Sequence, residues 1–544
     1  MIDLLLTNAN VLTVDSERPA ARAVGIIGDR IVAVLDDAAG VDARRTVNLG
    51  GATLTPGFHD AHNHMAWFGL NLLEIDLSTP PIASLVDLYD AVAARTAVAG
   101  EHDWVVGSGY DQNKIGGHPD RDELDRAAGG RKVWLKHTSG HMCMVNSPVL
   151  AELGLRDHAS QVPGGLVVTD ATGRPTGLLQ EQAQNLVSAL VMPYRLADLE
   201  DAIERAGKHY LREGITSVTE AGVAGGCIGK SPVELAAYQD ARQHGRLPVR
   251  VELMVAHDAL HDLAAHPEDD MVLGLDLGIR TGFGDEWLRI GPTKVFADGS
   301  LIGRTSAMCC DFDDLPGERG YLQGDAGALR GTIIGAHRSG WRVATHAIGD
   351  AAVDLVLDAY DEAQRRYPAH DRRHRIEHFG VSSPAQVARA RQLGVIPVPQ
   401  GRFVNEIGDG MLVALGADRS RWAYRQRSIL DAGMVLPGSS DRPVVAGAPL
   451  LGMHDMVNQR TSSGAPFNPD EAITPYEALH AFTMGSAFAS KAENVKGSIT
   501  PGKLADLIVL ADDPTTADPE RIAQIEVLAT YVDGVCAFDH EESR

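Results

Sequence analysis

Thiols are scarce in this chain. Its five cysteines (Cys143, Cys227, Cys309, Cys310, Cys536) form no Cys-x-x-Cys pair, and two of them are direct neighbours. An odd, sparse set argues against a disulfide framework and against a metal site built on thiolates, and it fits a reducing compartment. No run approaches the ~18 uninterrupted apolar residues of a spanning helix. The N-terminus, MIDLLLTNAN, has an acid at Asp3 and one short leucine run, which is not a signal peptide. The expected compartment is the cytoplasm. Positive charge is short as well: 49 Lys and Arg face 73 Asp and Glu, a net charge of −24. Such a surface repels phosphate backbones and anionic lipid, so nucleic acid and membrane are poor partners. Internal repeats, low-complexity tracts and long Pro/Ser linkers are also missing.

The remainder is ordinary for a large globular protein, with 44% apolar and 22% charged residues. At ~150 residues per domain, the length fits three to four domains or one large barrel with additions. The first 55 residues read as β-rich runs, Leu4–Val14, Val24–Leu35 and Thr46–Leu54, broken by Asp-Ser, Gly-Asp and Gly-Gly. The last ones read similarly, Asp506–Leu510 and Val527–Phe538. Residues 1–55 and 490–544 are therefore expected to build one small β-sandwich.

The middle, 56–489, alternates apolar strands with helical patterns. The candidate strands are Gly57–His64, Ile215–Glu220, Val249–Ala256, Ile290–Ala297, Arg342–His346, Arg375–His378, Val395–Val398 and Val435–Ser439. Helical stretches such as Leu199–Glu213, Ala351–Arg366 and Pro384–Leu393 lie between them. Eight strands alternating with helices predict an α/β fold, a distorted (β/α)8 TIM-like barrel. The gap from His64 to Ile215 far exceeds a βα repeat of roughly 30–40 residues. A large insertion after the first barrel strand, residues 68–205, accounts for it and is expected to cover the barrel mouth.

Reactive residues cluster where these strands end, the active-site end of such barrels. His62 and His64 close the first strand and, two apart, point to one side of it. Two imidazoles on one face can hold a divalent ion, although a lone His-x-His is a weak signal. His59 has the opposite parity and reads as structural. Lys294 and Asp298 end the fourth strand, His346 the fifth, His378 the sixth and Asp441 the eighth. From the insertion, His141 is placed to look into the site. Asn113, beside Asp111, and Arg304 are candidates to reach the substrate. Trp67, Phe68, Tyr110, Trp134 and Met142 are candidates for an apolar leaving-group pocket.

The pattern resembles the amidohydrolase superfamily, and within it the amidohydrolase family 3 branch, close to N-substituted formamide deformylase-like members. The resemblance spans nearly the whole chain. It rests on Pro56-Gly57…Asp60-Ala61-His62-Asn63-His64, Gly140-His141…Asn146-Ser147, Lys294…Asp298-Gly299-Ser300, His346-Ala347-Ile348-Gly349-Asp350, Ile376-Glu377-His378, Ser440-Asp441 and Pro501-Gly502-Lys503-Leu504-Ala505-Asp506-Leu507. It implies His62, His64, His346, His378 and Asp441 as metal ligands and Lys294 as an N6-carboxylysine bridging two ions. It implies Asp441 as the catalytic group that exchanges a proton with the attacking water. Glu181 stands where this branch often carries a glutamate, as an alternative ligand or a substrate group.

The resulting expectation is a metal-dependent hydrolase cleaving the C–N bond of an amide, formamide or N-acyl compound, with one or two divalent ions, zinc being expected. A deaminase or cyclic-amide hydrolase of the same superfamily is the alternative. A catalytically inactive ligand-binding barrel fits less well, since all six ligand positions are filled. The partner is a small-molecule substrate, and a homodimer is the family-style default. Barrel loops vary freely on one scaffold, so the acyl group is not legible. His/carboxylate sites also accept Mn, Fe or Co.

Overall fold

Seven parallel strands pair side by side in chain order in the computed structural model, which describes residues 1–98, 100, 104–225 and 228–541. They are Phe58–Asn63, Ile215–Val223, Arg250–Ala256, Leu288–Phe296, Val343–Ala347, Arg375–His378 and Ile396–Val398. Each answers one of the predicted barrel strands. They read as continuous apolar runs because helices cover the outer face; all nine residues of the second strand are buried. Register brings the strand ends level, with Phe296 opposite His346 and Ala347 opposite His378.

The predicted eighth strand, Val435–Ser439, is not a regular strand. Its segment runs along the first strand instead: Ala61 N–H donates to Gly438 O (2.9 Å), Asp441 N–H to His62 O (2.8 Å) and His64 N–H to Arg442 O (2.8 Å). On the other side, Pro397 and Pro399 have no N–H to offer a ladder. The contacts there are side-chain bonds at Ser439, whose Oγ–H donates to Pro399 O at 3.1 Å and whose Oγ accepts from Gln400 Nε2–H at 3.2 Å. The sheet is thus a nearly closed TIM-like barrel.

The covering helices follow local rules. Leu196–Arg212 buries Leu199, Ala202, Ile203, Ala206 and Tyr210, one stripe at helical spacing. Pro384–Leu393 starts with a Ser383/Gln386 capping box and Pro384 in its first turn, and stops at Gly394 in the left-handed region.

Both chain ends are β-structure. A six-stranded sheet interleaves them, with Thr53–Pro56 pairing antiparallel to Leu507–Leu510. A four-stranded sheet is made of Ile2–Thr7, Ala23–Ile27, Arg30–Leu35 and Ala43–Asn48. Leu6, Val24, Ile31, Leu54, Leu507 and Val509 form part of one cluster between them. The long N-terminal runs split into shorter strands because the chain turns at Asn8 (φ +53°) and Gly28 (φ +56°).

Between the first two barrel strands lies a second six-stranded sheet, which includes Val105–Tyr110, Val133–His137, Met142–Val145 and Pro175–Glu181. Cys143, Cys309, Cys310 and Cys536 are free thiols; Cys227 lies outside the described residues. Among the described residues no helix is long and apolar enough to cross a membrane.

Candidate active site

His62 leaves the first barrel strand, His64 follows it, and Asp441 ends the neighbouring eighth segment. All three are buried, and one ligand atom from each lies within 4.8 Å of the others. His378 and His346 continue the arc, with ring centres 5.0 Å (His62–His378) and 4.5 Å (His346–His378) apart. Lys294 is buried and lines the same cavity. Two of these positions hold strained backbone: His378 has φ +70° and Asp441 φ +62°. Such conformations cost on the order of 1–3 kcal/mol each and persist where the surroundings over-determine them.

Three of the four histidines are tied by one ring nitrogen to an oxygen outside the cluster, which leaves the other for the centre. His62 Nδ1–H donates to Glu377 Oε2 at 2.5 Å. Glu377 is itself gripped by Arg375, Nε to Oε1 at 2.7 Å and Nη2 to Oε2 at 2.8 Å. His62 Nε2 is buried, lies 3.2 Å from Asp441 Oδ1 and makes no hydrogen bond. His64 Nδ1 faces Glu220 Oε1 at 3.5 Å, and its Nε2 meets Asp441 Oδ1 at 3.0 Å. His378 Nδ1–H donates to Gln400 Oε1 (2.7 Å), and His346 Nε2–H to Gly299 O (3.1 Å). This is the pattern of metal-ligating imidazoles, one nitrogen free and the other oriented by an oxygen. An unbonded, buried Nε2 beside a carboxylate fits a divalent cation, and the donor set suits it.

Electrostatics point the same way. Burial opposes the charge on Asp441, but His62, His64 and His378 hold its carboxyl well below the usual range. Burial likewise opposes charge on Glu377, and Arg375 and His62 hold it low. Burial pushes His378 down to about 3 and takes His346 well below its ordinary value, so both imidazoles stay neutral. For His64, burial is outweighed by Asp441 and Glu220, and its pKa is raised.

The cavity above these groups has a volume of about 560 Å³. Trp67, Leu70, Met192, Tyr194 and Ile228 supply apolar wall; Trp134, Met142, His141 and Glu181 come from the insertion. Of the residues expected near substrate, His141 and Glu181 are there, bonded to each other at 2.9 Å. Burial opposes a proton on His141 and Glu181 favours it, raising its pKa.

Asn113 and Arg304 are not brought to the cavity. Asn113 is exposed in the first turn of the helix Gln112–Ile115, where its N–H caps onto Asp111 (2.9 Å). Arg304 spends its guanidinium on Asp314, Nε at 2.9 Å and Nη2 at 2.6 Å. Phe68 stacks on Tyr210, 5.6 Å between centres, and Tyr110 packs in the insertion core.

Sequence reasoning assigned no orienting role to the residues around the candidate ligands. Glu377 and Gln400 hold His62 and His378, and Glu220 faces His64. Asp60 binds the His62 N–H (3.2 Å), the Ser440 N–H (3.0 Å) and the Ser440 hydroxyl (2.5 Å), clamping the first strand to the Asp441 segment. Asp298 accepts from the Ala307, Ile348 and Gly349 N–H groups at 2.7–3.0 Å. Burial raises it to about 7. Glu220 had a readable signal, an acid at a strand's C-terminal end.

The sequence profile of the amidohydrolase family matches residues 45–538. The chain belongs to the amidohydrolase family. This amidohydrolase is 31% identical over 559 residues to an N-substituted formamide deformylase of Arthrobacter pascens, covering 100% of this chain and 99% of that protein. It is 30% identical over 499 residues to the putative amidohydrolase YtcJ of Bacillus subtilis strain 168, covering 91% and 90%. Its fold is similar to a crystal structure of an uncharacterised metal-dependent hydrolase from Pyrococcus horikoshii, with a TM-score of 0.74 and 25% identity over 95% of this chain and 99% of that one. The amidohydrolase is a hydrolase of carbon–nitrogen bonds other than peptide bonds.

Proposed function

We propose that the amidohydrolase cleaves the C–N bond of a small amide, with a formamide or related N-acyl compound as substrate. In this reading His62, His64 and Asp441 hold a divalent ion, joined by His346, His378 and a carboxylated Lys294. The observation that carries it is the convergence of His62, His64 and Asp441 ligand atoms within 4.8 Å at the floor of the cavity. The 31% identity to a formamide deformylase supports the substrate class. An imidazole-rich set with a carboxylate is best suited to zinc among common divalent ions. When bound, the ion acidifies water and polarises the scissile carbonyl.

The chain's own groups do the rest. Asp441, ionised among three histidines, accepts the proton of the attacking water and returns it to the leaving nitrogen. An amine leaves poorly as an anion, so the second transfer matters most. Glu377 occupies Nδ1 of His62, so that ring presents Nε2, while Glu220 faces Nδ1 of His64. The apolar wall around Trp67 and Met192 receives the organic substituent. Residues 68–205 act as the cover of this mouth, and 1–55 with 490–544 as one sandwich beside the barrel. We assign the enzyme to the cytoplasm.

The test is an amine- and ammonia-release screen across N-formyl, N-acyl and cyclic amides with zinc or manganese added. Turnover of at least one open-chain amide, abolished by chelation, is expected. Turnover confined to cyclic amides or aminated heterocycles refutes the reading.

A further inference from the structure

The insertion delivers one side chain to the cavity with unusual care. His141 follows Gly140, whose φ is +72° and whose place a larger residue cannot take, because a Cβ there would lie 2.9 Å from the Trp67 ring. The His141 backbone is then locked: its carbonyl accepts the Glu181 N–H at 2.7 Å, and its own N–H donates to Ser139 Oγ at 3.2 Å. The ring is locked too, since Nδ1–H donates to Glu181 Oε2 at 2.9 Å. Glu181 sits at the end of its strand in a strained backbone, φ +49° and ψ −126°. It is buried, and Gln323 Nε2–H donates to the same Oε2 at 3.3 Å. A non-glycine residue in such a conformation marks a side chain whose direction matters.

The consequence is that only Nε2 of His141 is left. It has no hydrogen-bond partner among the described residues, its ring lines the cavity, and its centre lies 6.3 Å from that of His346. His141 therefore stands beside His346 on the wall of the same cavity, where a reacting amide would enter. A carboxylate that fixes one imidazole nitrogen so that the other meets the substrate is a familiar division of labour in hydrolases.

We infer that His141 is a further catalytic residue of the proposed reaction, its Nε2 hydrogen-bonding the scissile amide group, and that Glu181 is the positioning residue that aims it. The inference rests on the hydrolase reading above. A bond to the reacting group strengthens as the carbonyl becomes tetrahedral, so its loss falls on kcat rather than KM.

The experiment is steady-state kinetics of the metal-loaded enzyme on the fastest amide of that screen, with metal content and melting temperature measured on each variant. His141→Phe should lower kcat by roughly 10²-fold, the scale of one lost transition-state hydrogen bond, with KM within about threefold. His141→Gln, which restores an N–H and keeps the site polar, should recover part of the loss. Glu181→Gln should lower kcat about 10-fold, and the double variant His141→Phe/Glu181→Gln should be no worse than His141→Phe alone, as for two residues acting as one unit. A merely structural role for Glu181 predicts additive losses. If the wild type is active and His141→Phe stays within threefold of its kcat, the inference falls while the hydrolase reading stands. A loss of activity that tracks a loss of bound metal also overturns it. A wild type inactive on every amide of the screen overturns both.

Discussion

At the scale of single residues, the proposed chemistry divides between groups expected to touch the substrate and groups that hold them. Asp441 is the sharpest case of the first. Asp441→Asn keeps the shape and an oxygen ligand but removes the base. It should retain at least one ion by elemental analysis and lose on the order of 10²-fold or more in amide turnover. The loss should shrink for activated esters, whose leaving groups need no proton. Lys294→Ala should lose most metal and activity together, with partial recovery in added short carboxylic acids that supply the missing oxygens. Glu377 represents the second kind. Glu377→Gln keeps a hydrogen-bond acceptor for His62 but leaves Arg375 without its carboxylate. Metal affinity measured by competitive chelation should fall roughly 10–100-fold.

At the scale of elements, the least regular part of the barrel carries Asp441, the side chain proposed to move the proton. The eighth segment has no full ladder, so Asp441 is held by its flanks. On one side Asp60 binds Ser440. On the other, Arg442 reaches the C-terminal end of the helix Leu196–Arg212 and grips Glu213 bidentately, at 2.6 and 2.8 Å. Its guanidinium also lies 4.5 Å over the Phe68 ring. Burial opposes the Glu213 charge, but Arg442 outweighs it and brings the carboxyl down from 4.5 to about 2. A pKa depressed in the folded state contributes stability above the unfolded value and loses it as pH falls through the folded one. The stability at neutral pH is on the order of 3 kcal/mol. Glu213→Gln should therefore be less stable in denaturant melts by about that much from pH 7 down to about 5. The gap to the wild type should close between pH 4.5 and 2. A constant gap across that window would refute the ion pair as its cause.

At the scale of the molecule, the cavity joins parts far apart in the chain. His62, His141, Lys294 and Asp441 all line it. An ion bound only by the folded chain stabilises the whole by mass action, about 2.7 kcal/mol at a hundredfold excess over its Kd. Stripping with chelator should lower the melting temperature, and zinc should restore it. The same treatment should hardly move Lys294→Ala, which is expected to hold little metal.

Local sequence patterns were enough for seven of the eight barrel strands and their order. Apolar runs, spaced helices, the Ser383–Gln386 cap and the parity of His62 and His64 are local patterns, set by backbone geometry within a few residues. Tertiary structure alone decided what those residues meet. Asn113 and Arg304 looked as suited to a ligand as His141 did. Asn113 is left exposed on a short helix and Asp314 engages Arg304, whereas Glu181 bonds His141 at the cavity wall. Glu220, Glu377 and Asp60 read as unremarkable acids until strand register set each against a histidine or a backbone N–H. Even the eighth strand, plain as an apolar run, lost its ladder to two prolines in its neighbour. Hydrogen-bond partners of a buried polar group are chosen by which strands lie side by side, and that choice is made by closing the barrel.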